Sequence, residues 1–368
     1  MIGQEKETLF EEQNEVETQT VKCENCGSNM VFDPDLKTLE CSHCGSKKEF
    51  GQTILASEQD LRAGLLSVNE WKKEDAVIFA CENCGAKVVL KNGESASFCP
   101  FCGTSHVRKT DELLGIKPHA LIPFCFGYEK AVEFGKNWAK KRFFAPNKFK
   151  KNIKTDNVNG VYTPCFTFDS QTISYYEGRI GKTKTRTVGS GKNRRTETYV
   201  VWRNICGTYN SKFDDVLITA GSKLGQNQLD KISPFNTNDS QVYEEEYLLG
   251  FMAYHYDSQL DDCWNDAKTK IDKELRSQIL SQYVYDRVAY LNVSTTHQNV
   301  TYKYVMLPVY VGNYKYNKKV YNFFVNGSTG KVTGKTPVSL LKVILTILGI
   351  TAVVAGIVFL FYSGGFFG

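Results

Sequence analysis

Eight of the chain's 12 cysteines fall into four C-x2-C pairs: Cys23/Cys26, Cys41/Cys44, Cys81/Cys84 and Cys99/Cys102. In each half 14 residues separate the inner cysteines, so C-x2-C-x14-C-x2-C occurs twice, offset by 58 positions. Glycine follows every pair, as Gly27, Gly45, Gly85 and Gly103. A tight turn around a metal often needs positive φ there, which glycine accepts without strain. Strand-like stretches, Met30-Val31-Phe32 and Val88-Val89-Leu90, precede the turn signals Asp33-Pro34-Asp35 and Lys91-Asn92-Gly93. Each half therefore reads as two knuckles on a β-hairpin, covering 21–50 and 79–108. Between them, Ile54, Leu55, Leu61, Leu65 and Val68 suggest a helical linker over 51–78 with a narrow apolar stripe.

Four thiolates at tetrahedral geometry make a closed structural zinc site, leaving no position for an activated water. Two structural Zn²⁺ ions are thus expected, held by Cys23, Cys26, Cys41 and Cys44 and by Cys81, Cys84, Cys99 and Cys102. Modules this small have too little core to fold alone, so the metal supplies folding free energy. Iron is the rival, because Cys99-Pro100-Phe101-Cys102-Gly103 looks like a rubredoxin knuckle; the short inner gap favours a zinc ribbon. His43 and His106 read as exposed bystanders. Each site of four thiolates and one Zn²⁺ carries two negative charges, which lowers the formal net charge from +5 to +1. A ribbon head that grips nucleic-acid phosphates should be basic. Residues 1–80 are acidic instead, beginning with Glu5, Glu7, Glu11, Glu12, Glu15 and Glu17 in an N-terminus (1–20) read as disordered. That start is the opposite of a secretory signal, so reduced thiols in the cytosol are expected. The other cysteines, Cys125, Cys165, Cys206 and Cys263, read as small buried hydrophobes.

Residues 343–362 run VILTILGITAVVAGIVFLFY, twenty without a charge. As a helix they would cross a hydrocarbon core ~30 Å thick. Lys331, Lys335 and Lys342 flank one side and a short uncharged tail the other. The positive-inside rule then puts everything before the span in the cytoplasm and the tail outside, a single-pass cell-membrane protein.

From 111 to 337 the pattern suggests an α+β body. Helix candidates are 128–144, closed by Pro146, and 258–280, where Leu260, Trp264, Ala267, Ile271, Leu275 and Ile279 recur at helical spacing. Strand candidates are 161–168, 198–209, 283–292, 300–316 and 320–325. Pro164 and Pro308 mark edges or bulges within them. Each helix is followed by a Pro-aromatic strand pattern, which suggests a duplicated α-β-β unit. A basic hairpin arm is expected over 179–198. Its Arg179, Lys182, Lys184, Arg186, Lys192, Arg194 and Arg195 could meet nucleic-acid phosphates, acidic lipid heads or only water.

No phosphate-cradling loop is legible. At Gly334-Lys335-Thr336 the required first glycine is Thr329, and Pro337 follows. The five histidines are scattered and form no catalytic motif.

With Cys-Glu-Asn-Cys-Gly at 23–27 and 81–85, Cys-Ser-His-Cys-Gly and Cys-Pro-Phe-Cys-Gly as partners, and VNGSTGKV at 325–332 before the apolar span, the chain resembles bacterial membrane-anchored tandem zinc-ribbon proteins. That group is labelled transcription factor IIB-type zinc ribbon-containing, or named after primosomal helicases. The resemblance implies two ribbons, a cytosolic body and a membrane anchor; the motor motifs behind the helicase label are missing. The expected architecture is multidomain: two small β zinc ribbons, an α+β body and one C-terminal transmembrane helix. The expected function is a non-enzymatic, tail-anchored protein whose ribbons present a cytosolic surface to a protein partner, with no small-molecule substrate. Two alternatives stand beside it, a membrane-tethered nucleic-acid binder and an enzyme with a site in the body.

Overall fold

The computed structural model describes residues 21–49, 54–66, 76–91, 98–110, 115–151, 158–191, 194–316 and 319–363. The acidic N-terminus, part of the linker, the Asn92-Gly93 turn, Lys192 and the end of the tail lie outside them.

The first cysteine module forms its own three-stranded sheet of β1 (Met30–Asp33), β2 (Thr38–Cys41) and β3 (Lys47–Glu49). The second does not stand apart. Its strands β5 (Ala76–Cys81), β6 (Lys87–Lys91) and β7 (Val107–Thr110) continue the sheet of the body. The join is β12 (Met252–Tyr254), whose Ala253 and Tyr254 pair with Val89 and Val88 of β6.

The body is mostly sheet, which corrects the α+β expectation. Three strands dominate: β9 (Val158–Val188, 31 residues), β10 (Arg195–Thr219, 25 residues) and β13 (Arg287–Tyr316, 30 residues). The candidates at 283–292 and 300–316 merge into one strand, which begins only at Arg287 and leaves 283–286 outside it. β13 passes the break between them with a register shift at Gln298/Thr301, where Asn299 adopts φ +49°. Polar residues at 294–299 carry no local strand signal, but the long partner β9 holds them in the ladder.

Each proline sits where its strand changes neighbours. Val161 and Tyr162 of β9 pair with β12, Cys165 onward pairs with β10, and Pro164 lies between. Val305 and Met306 of β13 pair with β8 (Ala120–Leu121), Val309 onward pairs with β14 (Lys319–Asn326), and Pro308 lies between. The missing N–H therefore costs no ladder bond on the side where the neighbour switches. The pattern is reciprocal. Short strand, helix, proline-bearing strand and hairpin return occur first as β8, α2 (Tyr128–Lys140), β9 and β10. They recur as β12, α5 (Leu260–Ser281), β13 and β14. Each short strand pairs in parallel with the long strand of the other set, and β9 pairs antiparallel with β13.

Helix α5 follows the expected spacing. It buries Leu260, Cys263, Trp264, Ala267, Ile271, Leu275 and Ile279, and places Asp261 and Asp262 in its first turn, where the helix dipole favours anions. Shorter helices are α1 (Leu61–Leu66), α3 (Asn147–Lys151) and α4 (Gln226–Ile232). α4 precedes the short strand β11 (Gln241–Val242); β4 (Gln59–Asp60) and β15 (Val332–Gly334) complete the large sheet among the described residues. Helix α6 (Leu340–Ser363, 24 residues) follows, and nothing in the described chain covers its span.

Candidate metal centres

All four knuckles share one backbone design. The amide of the first cysteine donates to the carbonyl five residues on: Cys23 to Ser28, Cys41 to Ser46, Cys81 to Ala86 and Cys99 to Thr104, at 2.7–2.8 Å. The following glycine donates back to that cysteine's carbonyl at 2.8–3.0 Å. Gly27, Gly45, Gly85 and Gly103 adopt φ between +69° and +72°. Any side chain there would be strained.

These turns aim the sulfurs inward. Cys23 and Cys44 Sγ lie 3.5 Å apart, Cys26 and Cys41 3.4 Å, and Cys81/Cys102 and Cys84/Cys99 3.6 Å each. Within each set all four sulfurs lie within 4.8 Å of one another. A tetrahedron with arms of ~2.3 Å has edges of about 3.8 Å, so both sets fit a zinc site of four thiolates. A disulfide would need about 2.05 Å. The chemistry agrees. In the second set the contact between Cys84 and Cys99 holds Cys84 down at about 5, while the same contact and burial push Cys99 up. Four crowded thiols cannot all ionise without a divalent cation to compensate them. Cys23, Cys26, Cys41 and Cys44 would hold one ion, and Cys81, Cys84, Cys99 and Cys102 the other. Bound, the ion supplies cross-linking and charge neutralisation. His43 and His106 are exposed and stand outside both groups.

Both modules are docked. Phe32 of the first packs edge-on against Tyr247 at 5.2 Å, and its amide donates to the Leu249 carbonyl at 3.0 Å. Asp35 pairs with Lys130 and accepts the Gly127 amide at 3.2 Å, at the N-terminus of α2. In the second, Phe101 lies 5.0 Å from Tyr254, and Asn313 Nδ2 donates to the Pro100 carbonyl at 3.4 Å. Cys81, Cys99 and Phe101 share a core cluster with Val305 and Val309 of β13.

The basic residues are split. Lys182, Lys184 and Arg186 alternate along β9, opposite Val201, Tyr199 and Glu197 of β10. Arg195 shares that face, and Glu197 pairs with both Arg186 (3.2 Å) and Arg195 (2.9 Å). Arg179 lies on the other face, over the Trp202 ring. Arg194 is in the turn, and Lys192 lies outside the described residues. β13 accompanies β9 as far as Gly181, so 182–188 and 195–201 overhang as a two-stranded tip.

Of the lone cysteines, Cys165 and Cys263 are buried, and burial with nearby Asp266 and Asp262 pushes Cys263 up to about 12. Cys125 and Cys206 are exposed, contrary to expectation; Cys206 is paired with Glu177 in the ladder. No local sequence signal pointed to a polar cluster where Lys303 Nζ, almost fully buried, meets Glu58 at 2.8 Å and Asp215 at 3.3 Å. Asp169 adjoins them and accepts the Asp215 amide at 2.7 Å. Burial and the charges of Glu58 and Asp214 raise Asp169 to about 6. The Lys303 ammonium stands where a cation would, so this is an internal ion network rather than a metal site. Ser170 Oγ contacts His297 Nδ1 at 3.0 Å, but Ser170 is 1% exposed, which bars it from acting as a nucleophile.

No protein-family profile matches the chain, and no solved structure matches it. One cysteine tetrahedron on its own small sheet and one on the large mixed sheet, with an apolar C-terminal helix, define a protein with two candidate metal sites and one candidate membrane span. A Bacillus subtilis (strain 168) protein carrying the name "Uncharacterized protein YdjG" is 30% identical over 265 residues, 70% of this chain and 75% of that one. The chain belongs to the family of that protein.

Proposed function

We propose that this is a non-enzymatic, tail-anchored membrane protein in which two structural zinc ions brace a cytosolic surface for a protein partner. The observation that carries the reading is closure of both sulfur sets, each tied into the packing of the body. Metals so enclosed serve as staples, leaving no open coordination position for chemistry. Helix α6 serves as the anchor. At ~1.5 Å per residue its 24 residues reach about 36 Å, enough for the hydrocarbon core. Lys331, Lys335 and Lys342 beside the span favour, by the positive-inside rule, a body on the cytoplasmic side. The test is crosslinking in intact membranes, with the full chain and with a variant lacking 21–105. A discrete adduct lost with those residues supports the reading; recovery of the full chain from the soluble fraction overturns it.

A second reading, nucleic-acid binding, is favoured by the overhanging tip with Lys182, Lys184, Arg186 and Arg195 on one face. It requires affinity that falls steeply with salt and drops on Lys182→Glu and Lys184→Glu.

A further inference from the structure

The corner between α2 and α3 carries a second basic cluster, unrelated to the arm. Residues 140–151 read KKRFFAPNKFKK, six cations and no acid. Lys140, Lys141, Arg142 and Lys148 are exposed. So are two aromatic side chains, Phe143 at 65% and Phe144 at 43%, packed edge to face at 5.2 Å. Large exposed aromatics beside cations are costly in water but suit the headgroup boundary of a bilayer.

This corner is bonded to the first turn of α6. Ser339 N donates to the Phe144 carbonyl at 2.8 Å. Lys342 Nζ donates to the carbonyls of Phe143 (3.3 Å) and Ala145 (2.8 Å) and to Asn147 Oδ1 (2.8 Å). Phe149 packs against Tyr314 at 5.0 Å, which fixes the corner to the Val158 end of β9. The arm tip is at the opposite end of that strand. At ~3.3 Å per residue, 31 residues of β9 put on the order of 100 Å of contour between them. The two basic clusters therefore lie at opposite ends of β9.

We infer that the α2–α3 corner is a membrane-surface contact, in which Phe143 and Phe144 enter the headgroup layer while Lys140, Lys141, Arg142 and Lys148 bind acidic lipid heads. The inference rests on α6 being the anchor. Its consequence is orientation: the corner clamps the base of the body to the bilayer, and β9 carries the arm away from it.

The test uses the full chain carrying Phe143→Trp, reconstituted in vesicles with brominated acyl chains, either neutral phosphatidylcholine or with roughly one-third phosphatidylglycerol. Emission is compared with the parent chain. The added tryptophan should lose roughly half its emission in acidic vesicles. It should lose much less in neutral ones, and high salt should restore it. Lys140→Gln, Lys141→Gln and Lys148→Gln together should abolish the difference; these exposed changes are mild enough to keep the fold. Lys182→Gln with Lys184→Gln should leave it intact. Flotation with the vesicles but equal quenching in both lipids would overturn the inference and spare the anchor. Loss of quenching on the arm changes would also overturn it. Failure to float with either vesicle would overturn the anchor reading, and the inference with it.

Discussion

The Asp35 carboxylate, in the hairpin turn of the first cysteine module, accepts the backbone amide of Gly127 at the N-terminus of α2, 92 residues away. It also pairs with Lys130 one turn into that helix. A metal module thus supplies the helix with an anion at its positive end, where the side-chain cap is otherwise missing.

Replacing Asp35 by Asn should loosen this dock by about 1 kcal/mol, since the pair is partly exposed and the cap is a single group. The Lys130 ammonium and the Gly127 amide hold the Asp35 carboxyl below the usual carboxylate range. Its contribution is therefore complete above the unfolded value near 4 and lost as pH falls through the lower folded value. Protease cutting within 21–50 reports it: faster for the variant at neutral pH, with the difference vanishing in strong acid.

Asp169 runs the other way. Its folded value, about 6, lies above that of the unfolded chain, so stability from this group is present below about 4 and declines as pH rises to about 6. Asp169→Asn keeps an oxygen for the Asp215 amide and removes the charge. We expect a gain of about 1 kcal/mol at pH 8, discounted for partial exposure, and a flatter melting curve against pH. A variant less stable than the parent at pH 8 would contradict the assignment.

Asn326, the last residue of β14, is fully buried. Its Nδ2 donates to the carbonyls of Ile232 (2.9 Å) and Pro234 (3.0 Å), and its Oδ1 accepts the amides of Ser328 (2.8 Å) and Thr329 (3.0 Å). Asn326→Ala leaves four groups without partners. Denaturant melts should show a loss of about 3 kcal/mol or more.

The two modules should differ in what they support. Cys99→Ser strikes a module whose strands continue the large sheet, so the melting of the whole body should fall. Cys26→Ser strikes a separate three-stranded sheet held by Phe32 and Asp35, so the body should melt close to the parent. Calorimetry of both variants checks this, and equal losses would contradict it.

What was legible in the sequence was local. The knuckles announce themselves because four cysteine spacings and four glycines each encode one turn. The α5 stripe and the apolar run of α6 are likewise set by near neighbours. Illegible were features that depend on distant partners. The polar stretch near Asn299 is strand only because β9 lies beside it. Lys303 is buried only because Glu58 and Asp215 arrive from elsewhere in the chain. Prolines 164 and 308 looked like edge markers; their role at neighbour switches emerges only once β12, β10, β8 and β14 are in place. The run of cations at 140–151 acquires meaning only when Lys342 joins it to α6.

The central claim is that each sulfur tetrahedron holds one tightly bound metal ion. Elemental analysis of the full chain, purified reduced and without added metal, tests it most directly. Two zinc ions per chain are expected, falling to one in either Cys26→Ser or Cys99→Ser. A chain that carries no tightly held metal while its eight paired cysteines remain reduced and the fold intact would contradict it.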